Sequence, residues 1–145
     1  MDHTCNDVNP STTDVCPACL EEKDSRKRVI VTGSRVWVEK YRLEMVLNGT
    51  HLALNRAFIL VHGGCPTGAD RMADEWGRAK KGVTVKVFEA DWDTYHRGAG
   101  PKRNQQMVDA GADLLIAFLM EGSKGTADCL KRAELAGIPT LVIRP

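Results

Sequence analysis

The chain lacks a charge imbalance: 20 Lys and Arg stand against 19 Asp and Glu in 145 residues, a formal net charge of +1. That balance gives no global attraction to nucleic acid and no acidic tail, so any anion binding has to be local. The sequence also lacks an apolar run of about 18 residues, the length a membrane-spanning helix needs. Its N-terminus, with Asp2, His3, Asn6 and Asp7, has neither a basic n-region nor an apolar h-region. The expectation is a soluble protein of the cytoplasm. Neither G-x-x-x-x-G-K-[ST] nor G-x-G-x-x-G occurs, so the two best-defined phosphate-loop signatures are missing as well.

The five cysteines are an odd number, and Cys65 and Cys129 fall inside the apparent globular part. Both facts argue against a secreted disulfide scaffold. Cys5, Cys16 and Cys19 lie in the first twenty residues, and Cys16-Pro17-Ala18-Cys19 has the spacing of half a zinc site. With His3 and Cys5 a tetrahedral site is chemically available; the alternative is an unordered tail with incidental thiols. Residues 1–26 are rich in Asp, Asn, Thr, Ser and Pro and poor in apolar positions. They read as an appendage to a single domain at 27–145.

What the domain does contain is a repeated pattern of short apolar runs followed by small-residue turns. Leu114 to Leu119 is six apolar residues long and is followed by Met120-Glu121-Gly122-Ser123-Lys124-Gly125-Thr126. Such a run reads as a strand buried on both faces. The turn, with a helix expected over Ala127–Ala136, offers backbone N–H groups and a helix N-terminus to an anion. Arg28–Val31 and Phe58–Val61 read as two more buried strands, ending in Thr32-Gly33-Ser34-Arg35 and in His62-Gly63-Gly64-Cys65-Pro66-Thr67-Gly68. Val83, Val85 and Val87 alternate with polar residues, which marks an edge strand, and Thr140–Ile143 is a fifth.

Helices are expected over about Val36–Leu47, stopping at Asn48-Gly49, then from Thr67, and from Pro101 to Ala110. Thr67 and Asp70 have the spacing of a capping box. Strand and helix alternate to five strands, which predicts an α/β fold: a Rossmann-like, doubly wound parallel sheet in the order 3-2-1-4-5. In that order the winding reverses between strands one and four. The loops Gly33-Ser34-Arg35 and Gly122–Thr126 then face each other across the crevice where ligands bind. Backbone donors, the Ser34, Ser123 and Thr126 hydroxyls, and Arg35 or Lys124 would serve a phosphate.

From Val29 to Pro145 the chain resembles the YspA/YpsA-related branch of the SLOG superfamily, Rossmann-like proteins common in phages and bacteria. The matching segments are Val31–Arg35, His62–Asp70, Ala90–Trp92, Ala99–Met107 and Gly122–Thr126. The resemblance implies a nucleotide-derived ligand and a homodimer. In the related cytokinin-activating phosphoribohydrolases an Arg-Lys-x-x-Met helix and a P-G-G-x-G-T-x-x-E loop carry the site. Here Arg103-Asn104-Gln105-Gln106-Met107 is similar to the first, and Glu121–Cys129 to the second. Arg103 is thereby the carried-over arginine. Cys129 stands where the family has its catalytic glutamate, with Asp128 one residue earlier.

If a glycosidic bond is cut, it needs a carboxylate near the ribose, and Asp70, Asp91 and Asp128 all follow strand ends. Against that, Asp70 could cap a helix, Asp91 could orient Arg97 or Lys102, and Asp128 could be a first-turn residue favoured by the helix dipole. His62 is a candidate acid or base or a structural hydrogen-bonder, and Trp92 and Tyr95 could stack on a base or form a lid. The positions expected around a ligand are Gly33, Ser34, Arg35, His62, Gly63, Gly64, Thr67, Gly68, Trp92, Lys102, Asn104, Gly122, Ser123, Lys124, Gly125 and Thr126. Three functions follow in order: binding or sensing of a nucleotide ligand, N-glycosidic hydrolysis of a nucleoside monophosphate or NAD-derived ligand, and association with single-stranded nucleic acid. The last rests on the similarity of Gly63–Asp70 to DNA-processing protein A. No cofactor is required beyond the zinc considered above.

Overall fold

The computed structural model describes residues 24–145; the zinc ligands considered at His3, Cys5, Cys16 and Cys19 lie outside them. Five parallel strands form one sheet, β1 (Lys27–Gly33), β2 (Phe58–His62), β3 (Val83–Val87), β4 (Leu114–Phe118) and β5 (Thr140–Ile143), in the order β3-β2-β1-β4-β5. Helices α1 (Lys40–Ala53), α2 (Gly68–Ala79), a short α3 (Trp92–Tyr95), α4 (Ala99–Asp109) and α5 (Lys124–Leu135) connect them. No helix among the described residues is long and apolar enough to cross a membrane.

The inner strands are apolar on both faces because both faces are covered. Val29, Val31, Leu60, Ile116 and Phe118 point to a core closed by Leu43 and Leu47 of α1 and by Ala69 and Ala73 of α2. Ile30, Val61, Leu115 and Ala117 point the other way, to Met107 and Val108 of α4 and to Cys129 and Ala133 of α5. Each fully buried Val, Leu, Ile, Phe or Met among them is worth about 1.5–3 kcal/mol over exposure. The alternating strand β3 does lie at the sheet edge.

Four boundaries differ from expectation. α1 begins at Lys40, because Trp37 turns inward from the loop to pack edge-on against Phe118, ring centroids 5.3 Å apart. It also runs through Asn48-Gly49 to Ala53: burial of Leu43, Leu47 and His51 on one face offsets the roughly 1 kcal/mol that a mid-helix glycine costs. α4 begins at Ala99, with Pro101 inside the first turn, where a missing N–H leaves no bond unmade. α5 begins at Lys124, since Gly122, at φ +82°, makes the whole turn and Gly125 and Thr126 are already helical.

Candidate functional site

A crevice of about 800 Å³ opens beyond the C-terminal ends of the strands. The β1 loop contributes Thr32 to Val36, the β2 loop Gly63 to Pro66, α4 contributes Arg103 and Asn104, and the β4 loop with the start of α5 contributes Glu121 to Thr126. Asp70, Glu89, Ala90 and Trp92 complete its wall. The crevice therefore straddles the reversal between β1 and β4, where crossovers leave on opposite faces and the loops splay apart.

At the start of α5, Ser123 N–H is taken by Met120 O and Lys124 N–H by Gly122 O, while Ala127 N–H begins the helical ladder on Ser123 O. Among the described residues the Gly125 and Thr126 amides find no backbone acceptor. They carry the partial positive charge of a helix start into the crevice. The β1 loop is more fully engaged: Ser34 N–H donates to Phe118 O at 3.0 Å, and Val36 N–H donates to Ser34 Oγ at 3.2 Å. The Arg35 guanidinium lies 5.9 Å over the Trp92 ring.

On α4, Arg103 donates through Nε to Asn104 Oδ1 at 3.0 Å and through Nη1 to Gly63 O. Gly63 is required for this approach, because a Cβ there would collide with the guanidinium. Nη2 has no partner among the described residues, so one edge of the guanidinium stays available.

Asp70 is buried at 6% exposure and its carboxylate accepts the Cys65 N–H at 3.3 Å. This replaces the capping box: Thr67 caps α2 without a side-chain bond, and the aspartate reaches back to the β2 loop instead. Burial raises the Asp70 carboxyl above its ordinary range, with His62, the Cys65 amide and Arg103 opposing. His62 Nδ1 accepts from Gly64 N–H at 3.0 Å, which leaves the proton on Nε2 to donate to Asp74 Oδ1 at 2.8 Å.

Several expected positions lie elsewhere. His62 borders a second, smaller cavity with Asp74 and Arg78 rather than the main crevice. Gly68 is packed against the Ser34 and Arg35 backbone, and Thr67 serves α2. Asp91 is exposed and accepts Thr94 N–H at 3.1 Å, a bond that lowers its carboxyl, so neither Arg97 nor Lys102 is its partner. Lys102 is turned to the Tyr95 ring, 4.0 Å from its centroid. Asp128 is outside the crevice wall, held by Arg132 Nε at 2.8 Å and Asn104 Nδ2 at 3.0 Å. Cys129 is fully buried, and burial pushes its thiol up to about 11. Two acids in the wall, Glu89 and Glu121, were not singled out from sequence; their place after β3 and β4 was the available signal.

The model of the family described as YspA, cpYpsA-related SLOG matches residues 27–95. A protein of Mycobacterium phage D29, described as Gene 61 protein, is 40% identical over 119 residues, covering 79% of this chain and 94% of that protein. The chain belongs to the YspA, cpYpsA-related SLOG family. Its family match ends at Tyr95, so in this SLOG chain Arg103, Asn104 and the start of α5 lie beyond the matched span. Among the described residues no cluster of three or more His, Cys, Asp or Glu could hold a metal ion.

Proposed function

We propose that the crevice binds a nucleotide-derived ligand, one carrying phosphate and ribose, and that the protein senses or sequesters it. The observation that carries this reading is the pair of amides at Gly125 and Thr126 that have no backbone acceptor among the described residues, in the same wall as the guanidinium edge of Arg103 that has no partner among them. Helix-start amides and a guanidinium are the two donor types best suited to a phosphate, and the neutral net charge makes such local donors the means of recognition. In this reading the Ser34, Ser123 and Thr126 hydroxyls, Arg35 and Lys124 add to them, and Trp92 would stack on a base. Glu89 and Asp70 supply acceptors for ribose hydroxyls. α1 exposes Tyr41, Met45 and Leu52 along one face, a surface suited to the homodimer that this reading includes; its sedimentation mass tests that part.

Hydrolysis of the N-glycosidic bond is the second reading, favoured by Asp70. A buried carboxyl whose proton is held more tightly than usual can protonate the departing base as the N-glycosidic bond breaks, with a solvent water adding at the ribose anomeric carbon and giving up its proton, while Arg103 holds the phosphate. Purified protein is incubated with nucleoside monophosphates, NAD and cyclic ADP-ribose species, and mass spectrometry scores ligand retained and base released. Retention without release supports the binder and names its ligand. Release that Arg103→Ala abolishes makes it a hydrolase, and neither retention nor release removes both readings.

A further inference from the structure

Asn104 is 4% exposed and its amide nitrogen is fully engaged. Arg103 can only donate, so the Asn104 oxygen has to face it; the Gly125 carbonyl and the Asp128 carboxylate can only accept, so the nitrogen has to face them. The geometry agrees: Arg103 Nε donates to Oδ1 at 3.0 Å, while Nδ2 donates to Gly125 O at 3.2 Å and to Asp128 Oδ2 at 3.0 Å. A flipped amide would satisfy none of the three. With both N–H groups committed, Asn104 has no donor left for a ligand.

The contacts continue outward. The same Asp128 oxygen accepts from Arg132 Nε at 2.8 Å, and Arg132 Nη1 donates to Gln105 Oε1 at 2.9 Å. Burial draws the Asp128 carboxyl upward, but the bonds from Arg132 and Asn104 outweigh it and lower it overall. One side chain thus ties together a cation on α4 and the helix start of α5, two parts that no backbone bond links.

We propose that Asn104 is a positioning residue that sets the Arg103 guanidinium and the open amides of α5 at a fixed separation, and that Asp128 acts through Asn104 without touching ligand. The proposal deepens the reading above and rests on it for the identity of the ligand as an anion. It assigns Asp128 a role different from that of a reacting carboxylate: its oxygen, rather than its charge or proton, is what the site uses.

The test uses unliganded, nitrogen-15-labelled protein and follows solvent exchange of the Arg103 Nε–H, assigned by its loss in Arg103→Lys. Affinity for AMP and for adenosine is measured in parallel. Asp128→Ala is expected to speed that exchange and weaken AMP binding by about tenfold each, with adenosine affected less. Asp128→Asn keeps an oxygen for both Arg132 and Asn104, and is expected to hold both quantities within about threefold of the parent. Asn104→Asp is isosteric and still offers Arg103 Nε an acceptor but cannot donate to the Gly125 carbonyl or to Asp128, so it is expected to keep the Nε–H protected and to weaken AMP binding by about tenfold.

The double variant Asn104→Asp/Asp128→Asn restores the polarity of the 104–128 bond, since the amide at 128 then donates to the carboxylate at 104 and turns its oxygen to Arg132, and is expected to recover part of the AMP affinity while the Gly125 carbonyl stays unpaired. A contact that serves folding alone would lower the melting temperature without this polarity-matched recovery. Parent-like Nε–H exchange in Asp128→Ala, or no recovery in the double variant, overturns the proposal. Failure of the parent to retain AMP would count against the binding reading, while the exchange measurements still decide the role of Asn104.

Discussion

Two helices start at the same edge of the sheet, both behind a glycine-rich turn, and they do opposite things. α2 begins against the protein itself: Ala69 N–H donates to Ser34 O at 3.1 Å, Gly68 abuts the Ser34 and Arg35 backbone, and Gly33 leaves no room for a Cβ beside Ala69. α5 begins against open space, with nothing within 4 Å of a Cβ on Gly122 or Gly125 and two amides left without backbone acceptors. Glycine therefore has two meanings at one edge. At α2 it allows close packing that fixes the β1 loop; at α5 it leaves a helix start accessible. A small-residue turn becomes a ligand site only where the chain does not fill its own donors.

The contrast can be broken most severely at Gly68. Gly68→Ala places a Cβ on the Ser34 and Arg35 backbone at φ +72°, and is expected to cost about 2–4 kcal/mol, seen as a lowered denaturation midpoint. Arg103→Ala removes the guanidinium edge from the open side and is expected to weaken AMP binding by about 10- to 100-fold in calorimetry, with a lowered melting temperature, about 1–3 kcal/mol of lost stability, because Asn104 Oδ1 and Gly63 O lose their donor.

The two sides also differ in how their aspartates respond to pH. Burial raises Asp70 above 3.8, so its contribution to stability is largest below 3.8 and is lost as pH rises through the raised value. Asp128 is lowered, so its contribution is present above 3.8 and is lost as pH falls through the lowered value. Melting temperatures between about pH 3 and about pH 7 should therefore move in opposite directions. Relative to the parent, Asp70→Asn gains stability as pH rises. Asp128→Asn loses it, by less, since that carboxylate is partly solvated. The smallest effect belongs to Gly125→Ala, which meets open space and should change stability by about 0–1 kcal/mol in the favourable direction.

The sheet order was legible because burial on both faces leaves an unbroken apolar run, as in Phe58–Val61 and Leu114–Phe118, while the alternation of Val83, Val85 and Val87 marks a strand with one side wet. Helix ends were less legible. Asn48-Gly49 reads as a stop locally, yet Leu47 and His51 bury on either side of it, and tertiary packing prevails. For the site, the crevice loops followed from topology, which places every strand's C-terminal end on one side. The placing of side chains did not. His62, Lys102, Asp91 and Asp128 share that edge in sequence, but each is drawn off by a partner: Asp74, Tyr95, Thr94 or Arg132. Those partners belong to helix geometry and side-chain reach, which spacing along the chain does not encode. Cys129 shows the converse, a position matched by resemblance to a reacting group that the fold buries completely.

The pairing of β1 with β4, Val29 beside Leu114 through to Gly33 beside Phe118, has a consequence for how the molecule is made. On a ribosome β1 finds β2 early, but its other edge stays bare until most of the polypeptide has been synthesised. Val29, Ile30 and Val31 then wait as an apolar strand with unpaired backbone groups, the kind of edge that invites association with another chain. The seam that opens the crevice is thus the last junction of the sheet's centre to close. Only chains extended past the start of α5 possess it, and any compound lodged there favours them over shorter nascent precursors by mass action.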